Sequence, residues 1–406
     1  MDKVNKVPHT RKRTVNLSEG AQVRSNKKPK FAGSHCTSIS KPVKTRVPPA
    51  HTQPELTQHQ EKKSVIFKVS RLITQGGFSA VFNVTEANSD KPDEIILKIA
   101  DRQYTQREGA CIEWQASKIE DPHCSCQIMA SHNEAYIHRQ MKHENIISFI
   151  GFGHVNGNPD ASKKIPTILM EACEMSLRNK IEKLCFFKNY YVPGAPHPLP
   201  LNKRCKILYD TVNGLKYLHS QHCMHLDIHP KNIVLSRAGQ AKLCDFGLSC
   251  WDSFPEKSGI TFDTWSASLT YMAPENYLKF AGISTQADIF GIGVTIKMSV
   301  LGTLGSHGWW TEKSLFNNIY TADYKLKEPV KGKKLFGPFD VLTAQEMILQ
   351  SNDPEFNSSP HSKEIAIRIL KEIAVPCLRV MPYNRPCASD ILIRLKEIQG
   401  DLQRTQ

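Results

Sequence analysis

His225-Leu226-Asp227-Ile228-His229-Pro230-Lys231-Asn232, followed by Asp245-Phe246-Gly247 at the end of an apolar run, is the stretch on which the reading of this chain turns. It orders a carboxylate, an amide and a second carboxylate along one short piece of backbone. Upstream, Ile207, Leu208, Val212, Leu215 and Leu218 recur at spacings of three and four between Cys205 and Ser220. That periodicity predicts an amphipathic helix packed in a core, so the loop leaves a rigid element. Downstream, Ile233-Val234-Leu235 and Ala241-Lys242-Leu243-Cys244 flank Ser236-Arg237-Ala238-Gly239-Gln240, a hairpin signal. Asn232 and Asp245 then emerge at neighbouring strand ends. Two oxygen ligands at one edge suit magnesium, a hard cation that keeps some waters and takes its remaining ligands from phosphate.

Further stations lie outward from this centre. Glu94-Ile95-Ile96-Leu97-Lys98-Ile99-Ala100 reads as a strand with one lysine in an apolar run. A buried ammonium needs an acidic partner, and Glu134, which opens a helically spaced segment running to Ile146, is the candidate. Ser64–Val69 and Ile73–Val84 read as two strands joined at Gly76-Gly77, where glycine lets backbone N–H groups approach a phosphate. Ala273-Pro274-Glu275, Asp288 at the start of an apolar helix, and Arg385 complete the set. Motifs gain weight when their structural contexts agree, and here an ordered series does so.

The series resembles the eukaryotic protein kinase family, serine/threonine type, from about Ser64 to about Gly400. The resemblance implies an α+β fold of two lobes, a small β-rich N-lobe (64–173, with an insertion at 101–132) and a larger helical C-lobe (174–400). It implies ATP and magnesium as cofactors and a protein as substrate. Asp227 would be the catalytic base, Asn232 and Asp245 the metal ligands, and the Lys98–Glu134 pair would position the α- and β-phosphates. Nucleotide-pocket positions carried over in the same way are Thr74, Gln75, Gly76, Gly77, Phe78, Ser79, Val81, Ile96, Lys98, Met170, Glu171, Cys173 and Val234. Among these, Met170 would be the gatekeeper, with the backbones of Glu171 and Cys173 meeting the adenine edge. Asp288 would fix the catalytic-loop backbone and Arg385 would pair with Glu275. The branch stays open: Gly214–His219 and Ala287–Phe290 are similar to the T-LAK-cell-originated kinase, and Leu226 is similar to the Mos and Wee/Myt groups.

Several positions depart from the family pattern. Thr74 and Ser79 replace the outer glycines of the phosphate loop, and Ile96 replaces a smaller alanine, narrowing the adenine slot or shifting the base. His138, one helical turn after Glu134, stands where an apolar member of the regulatory spine is usual, and it would need a hydrogen-bond partner. Leu226 replaces an arginine, so a phosphorylated activation loop could not pair there. His229, a catalytic-loop position, replaces a lysine and supplies at most partial charge near the γ-phosphate. Ser249, Ser253, Ser258, Thr261, Thr264, Ser266, Ser268 and Thr270 populate the activation segment, and Ser268 with Pro230 favours serine/threonine substrates.

The net formal charge of the 406-residue chain is +14, and residues 1–63 carry fourteen Lys and Arg against four acids. With few large apolar residues, that stretch reads as a disordered basic tail. Arg11-Lys12-Arg13 and Lys27-Lys28-Pro29-Lys30 suit a nuclear import receptor, a nucleic acid or an acidic membrane, or only solvent. Twelve cysteines without a framework spacing and no apolar leader suggest a reduced, nuclear or cytoplasmic protein. No transmembrane segment is expected, because Lys297 interrupts the apolar run 287–296. Cys111, His123, Cys124, Cys126 and His132 are zinc-type ligands, although their spacing matches no familiar finger. Lys188–Pro200 and Lys325–Pro360 read as loop insertions. Two readings follow, an active serine/threonine kinase and an inactive pseudokinase scaffold, the latter favoured by Thr74, Ser79, Ile96, His138, Leu226 and His229.

Overall fold

The computed structural model describes residues 64–75, 78–87, 94–119, 127–157, 160, 162–187, 190–191, 197, 199–252, 271–278, 282–302, 348, 353–379 and 381–404. The basic tail 1–63, Gly76, Gly77, His123, Cys124, Cys126, residues 253–270 and most of 325–360 lie outside them.

The first part of the chain is a closed antiparallel barrel. β1 (Ser64–Gln75), β2 (Ala80–Glu86) and β3 (Glu94–Ile99) form a meander, and β3 pairs with β6 (Lys164–Glu171), which pairs with β5 (Phe149–Asn156). The strand that closes the ring is β4 (Cys111–Ala116), which pairs with β1 along Ser64–Lys68 and with β5 at Trp114–Ala116. Phe67, Val69, Phe82, Leu97, Ile112, Trp114 and Leu169 fill the interior. Closure removes the unpaired edges that an open sheet would present.

This geometry corrects two expectations, on β1 and α1, and adds a strand that the sequence reading did not name. β1 is one strand to Gln75, with register irregularities after Val69 and Leu72, rather than a break before Ile73. Within the segment 101–132 the described residues include one strand: Cys111–Ala116 alternates exposed and buried residues because one face meets the barrel core. Helix α1 spans Gln127–His138, so it begins before Glu134 and stops well short of Ile146. The helix leaves through tighter turns, the Gln140 N–H on the Ile137 carbonyl and the Met141 N–H on the His138 carbonyl, and the expected closing turn follows at His143–Asn145, with the Asn145 amide held on the Ala241 carbonyl.

Trp114 explains a glycine. Its indole N–H donates to Thr167 Oγ1 at 2.8 Å, and its ring packs against Gly153, where a Cβ would collide with the Gln115 carbonyl and the indole. Gly153→Ala should therefore destabilise the protein by about 1–3 kcal/mol through overpacking. An unchanged urea midpoint would refute this.

The remainder is mainly helical. β7 (Met175–Ser176) and α2 (Leu177–Cys185) follow the barrel, and β8 (Phe186–Phe187), just before the Lys188–Pro200 insertion, pairs with β9 (Tyr190–Tyr191) inside it. α3 (Leu201–Ser220) is the predicted helix, extended at its N-terminus. It is followed by β10 (Cys223–Met224), the hairpin β11 (Ile233–Leu235) and β12 (Ala241–Leu243), then β13 (Cys250–Trp251) on β10 and α4 (Pro274–Leu278). α5 (Thr285–Leu301) is buried on nearly every side, capped by the Ser284 hydroxyl and ended by Gly302 at φ 68°. α6 (Pro354–Ser358), α7 (Pro360–Ile369), a π turn (Leu370–Ala374), α8 (Val375–Cys377) and α9 (Ala388–Gln403) complete it. Arg204 at the start of α3 is buried on Asp353, Glu355 and the Leu199 and Val300 carbonyls, tying the end of the third insertion to the core. Among the described residues no helix is long and apolar enough to cross a membrane.

Candidate active site

Three elements deliver charged groups to one place. Lys98 projects from β3, Glu134 from α1, and Asp245 from the turn after β12, where its φ is 67°. The Lys98 ammonium donates to Glu134 Oε1 at 2.6 Å and to Asp245 Oδ1 at 2.8 Å. Burial alone would lower the lysine pKa, but Asp245 and Glu134 together raise it above its usual value, so the cation is permanent. Burial would likewise raise the Asp245 carboxyl, and Lys98 overrides it and holds the pKa at about 2. For Glu134 burial wins and the pKa moves up, with Lys98 opposing.

The loop between β10 and β11 supplies the rest. Asn232 Nδ2 donates to the Asp227 carbonyl at 3.0 Å and to Asp227 Oδ2 at 2.8 Å. With both amide protons committed, Asn232 Oδ1 remains as an acceptor, and Asp245 Oδ2 takes no hydrogen bond from the described residues. Two uncommitted oxygens, one anionic, fit a hard divalent cation. His229 Nδ1 accepts the Lys231 N–H, and Nε2 lies 3.3 Å from Asp227 Oδ1 with the ring against Tyr271. Its edge therefore faces Asp227.

The loop backbone is held from beneath. Asp288 of α5 accepts the His225 N–H at 2.9 Å and the Leu226 N–H at 2.6 Å, and meets His219 Nε2 at 2.9 Å. These bonds pin Leu226 at φ 64°, a conformation a branched residue avoids. Its side chain lies with Met224, Cys250, Ala273 and Phe290 in an apolar cluster.

His138 has the partner its burial demands. It is 1% exposed, its Nε2 lies 2.7 Å from the Ile147 carbonyl, and its ring stacks on Phe246 at 4.9 Å and meets Phe149 edge-on at 5.4 Å. Phe246 in turn leans on His225. Burial, partly opposed by the Ile147 bond, pushes the His138 pKa down to about 4, with Lys98, Asp245 and Glu171 as the nearby charges. In the unfolded chain the imidazole protonates first, near its usual 6.5. Stability is therefore lost as pH falls from 6.5 toward 4, by about 2 kcal/mol between pH 7.5 and 5. His138→Leu should flatten that portion of the pH dependence in urea titrations. Equal losses in both proteins would remove His138 as the cause.

The positions expected to meet a nucleotide divide. Ile96 and Met170 are buried in one apolar cluster, with Val81, Cys173, Val234 and Cys244 packed against it, so these side chains are brought together. Burial raises the Cys173 thiol to about 11, making it a poor nucleophile. Thr74 and Gln75 end β1, with the Gln75 amide bound to the Arg102 carbonyl; Phe78 is 56% exposed and Ser79 half-buried. Gly76 and Gly77 lie outside the described residues. Sequence reasoning missed one arrangement. The Glu171 carboxylate accepts the Ser148 N–H at 2.7 Å and the Lys242 ammonium at 2.6 Å, joining the hinge to β12. A lone lysine in Ala241–Leu243, next to Asp245, was the available signal. Among the described residues no group of three or more His, Cys, Asp or Glu comes together to hold a metal; Cys111 and His132 of the zinc-type set are described, the others are not.

The family model for the protein kinase domain matches residues 67–394. The chain belongs to the protein kinase family. Within it, the chain is similar to a probable serine/threonine-protein kinase of Dictyostelium discoideum, 31% identical over 51% of this chain and 16% of that protein. It is similar also to the proto-oncogene serine/threonine-protein kinase mos of Mus musculus, 32% identical over 39% of this chain and 45% of that one. Serine/threonine-protein kinase PLK4 of Xenopus laevis is 22% identical over 64% of this chain and 23% of its own length. The matches thus span less than half the length of these relatives. A protein kinase domain has two lobes, which here are the barrel and the helical part. The Arg385–Glu275 pair of this kinase domain is bidentate, at 2.6 and 2.7 Å, with both side chains fully buried.

Proposed function

We propose that this chain is an ATP- and magnesium-dependent protein serine/threonine kinase. The observation that carries the reading is the position of the Lys98 ammonium between Glu134 and Asp245, with Cys244, the residue before Asp245, bonded through its N–H to the carbonyl of Asn232, the partner of Asp227. Membership of the protein kinase family and the printed names of the relatives support it.

In this reading Lys98, held by Glu134, binds the α- and β-phosphates. Asn232 Oδ1 and Asp245 hold magnesium, which when bound offsets charge on the phosphates. Asp227 orients a serine or threonine hydroxyl and receives its proton as the oxygen forms a bond to the γ-phosphorus. The bond from that phosphorus to the β–γ bridging oxygen breaks and ADP leaves. Asp227 is itself positioned by the Asn232 amide and the His229 ring. Catalysis is then mostly positioning and charge stabilisation. Transfer of radiolabelled γ-phosphate to a protein substrate by wild type, and not by Asp227→Asn, tests it. Equal background from both would leave a non-catalytic scaffold as the reading.

A further inference from the structure

We propose that His138 is a positioning residue: its Nε2–H bond to the Ile147 carbonyl latches α1 in the place where Glu134 reaches Lys98. This rests on the kinase reading of the Lys98 site.

Because a carbonyl only accepts, the 2.7 Å contact places the imidazole proton on Nε2. An apolar side chain at this position would pack between Phe149 and Phe246 with no directional tie. The histidine packs and bonds at once, with its face on Phe246 and its edge on Phe149. Glu134 lies one turn earlier on the same face of α1, so a bond fixing residue 138 also fixes the rotation of Glu134. Midway along α1, His132 meets Phe152 edge-on at 4.6 Å, and the Ser117 N–H bonds the Phe152 carbonyl just after β4. The middle and the C-terminal end of the helix are thus held to the β5 region by this chain's own groups.

The latch matters because Lys98 is shared. Lys98 here bonds Glu134 and Asp245 together; without Glu134 it would rest on Asp245 alone and neutralise more fully the carboxylate that is to bind metal. At position 226, where a cation could otherwise receive a phosphate, Leu226 lies in an apolar cluster. Engagement of α1 therefore has a source inside the helix.

The test is a double-mutant cycle on magnesium-ATP affinity, with thermal unfolding measured alongside. His138→Leu should weaken nucleotide binding about three- to tenfold, the loss of one buried hydrogen bond, while the melting temperature stays within a few degrees. His138→Gln, whose amide nitrogen reaches the place of Nε2, should restore affinity to within about twofold. In a Glu134→Gln background, His138→Leu should cost nothing further, because its effect runs through Glu134. Additive losses in the two backgrounds, or failure of His138→Gln to rescue, would overturn the latch and make His138 a packing residue. Loss of the folding transition in His138→Leu would do the same. Wild type that binds magnesium-ATP but transfers no phosphate would end the kinase reading and leave the latch standing; wild type that binds no nucleotide would end both.

Discussion

Asp227→Asn lowers the turnover of phosphate transfer by about 10²–10⁴-fold, the range for removing a positioned general base, with nucleotide affinity and melting temperature near those of wild type. The asparagine is isosteric and still offers an oxygen to the Asn232 amide, which bonds both the side chain and the carbonyl of residue 227. It cannot take the hydroxyl proton. The loop itself is secured from elsewhere, by the two N–H bonds of His225 and Leu226 to Asp288, so the fold has no reason to respond. Single-turnover kinetics separate the outcomes: a variant that retains wild-type turnover shows that Asp227 is not the base.

Arg385→Met should cost about 3–5 kcal/mol of stability, because it strands a fully buried carboxylate. Glu275 accepts N–H bonds from the two terminal guanidinium nitrogens, and Arg385 also donates to the Gln286 and Arg379 carbonyls and lies over the Phe290 ring at 5.1 Å. A drop of that size lowers the melting temperature by about 10 °C in a domain of this size. The double change Arg385→Met with Glu275→Leu should recover much of the loss, since the isolated buried charge is what costs most. If the single change shifts the urea midpoint by no more than a surface substitution would, the pair is not a stability determinant.

The catalytic-loop region was legible because its residues are close in sequence and its periodicities are strong. The helix before Asp227, the hairpin carrying Asn232 and Asp245, and the apolar helix after Asp288 all occur as read. The strand in the insertion was not named for a physical reason: Cys111–Ala116 is short, with a glutamate and a glutamine among its residues, and only pairing with β1 on one side and β5 on the other makes it a strand. The start of α1 was missed because Gln127–Asn133 lacks a clear apolar stripe or N-cap signal. No partner was named for Arg204 or Lys242, although the lysine stands alone in an apolar strand. Their partners Asp353 and Glu171 lie far along the chain, and local pattern carries no information about such pairings.

The amino-acid sequence by itself determined which chemical groups this chain possesses and their order, since side-chain chemistry and local periodicity are properties of short windows. Tertiary structure alone decided that the barrel closes, that Leu226 sits in an apolar cluster, that Lys98 is divided between two carboxylates, and that His138 bonds a carbonyl on another element. Each of these depends on distances between residues remote in sequence. Such distances are set by how the barrel and helices pack, and burial then sets the strength of every charge placed there.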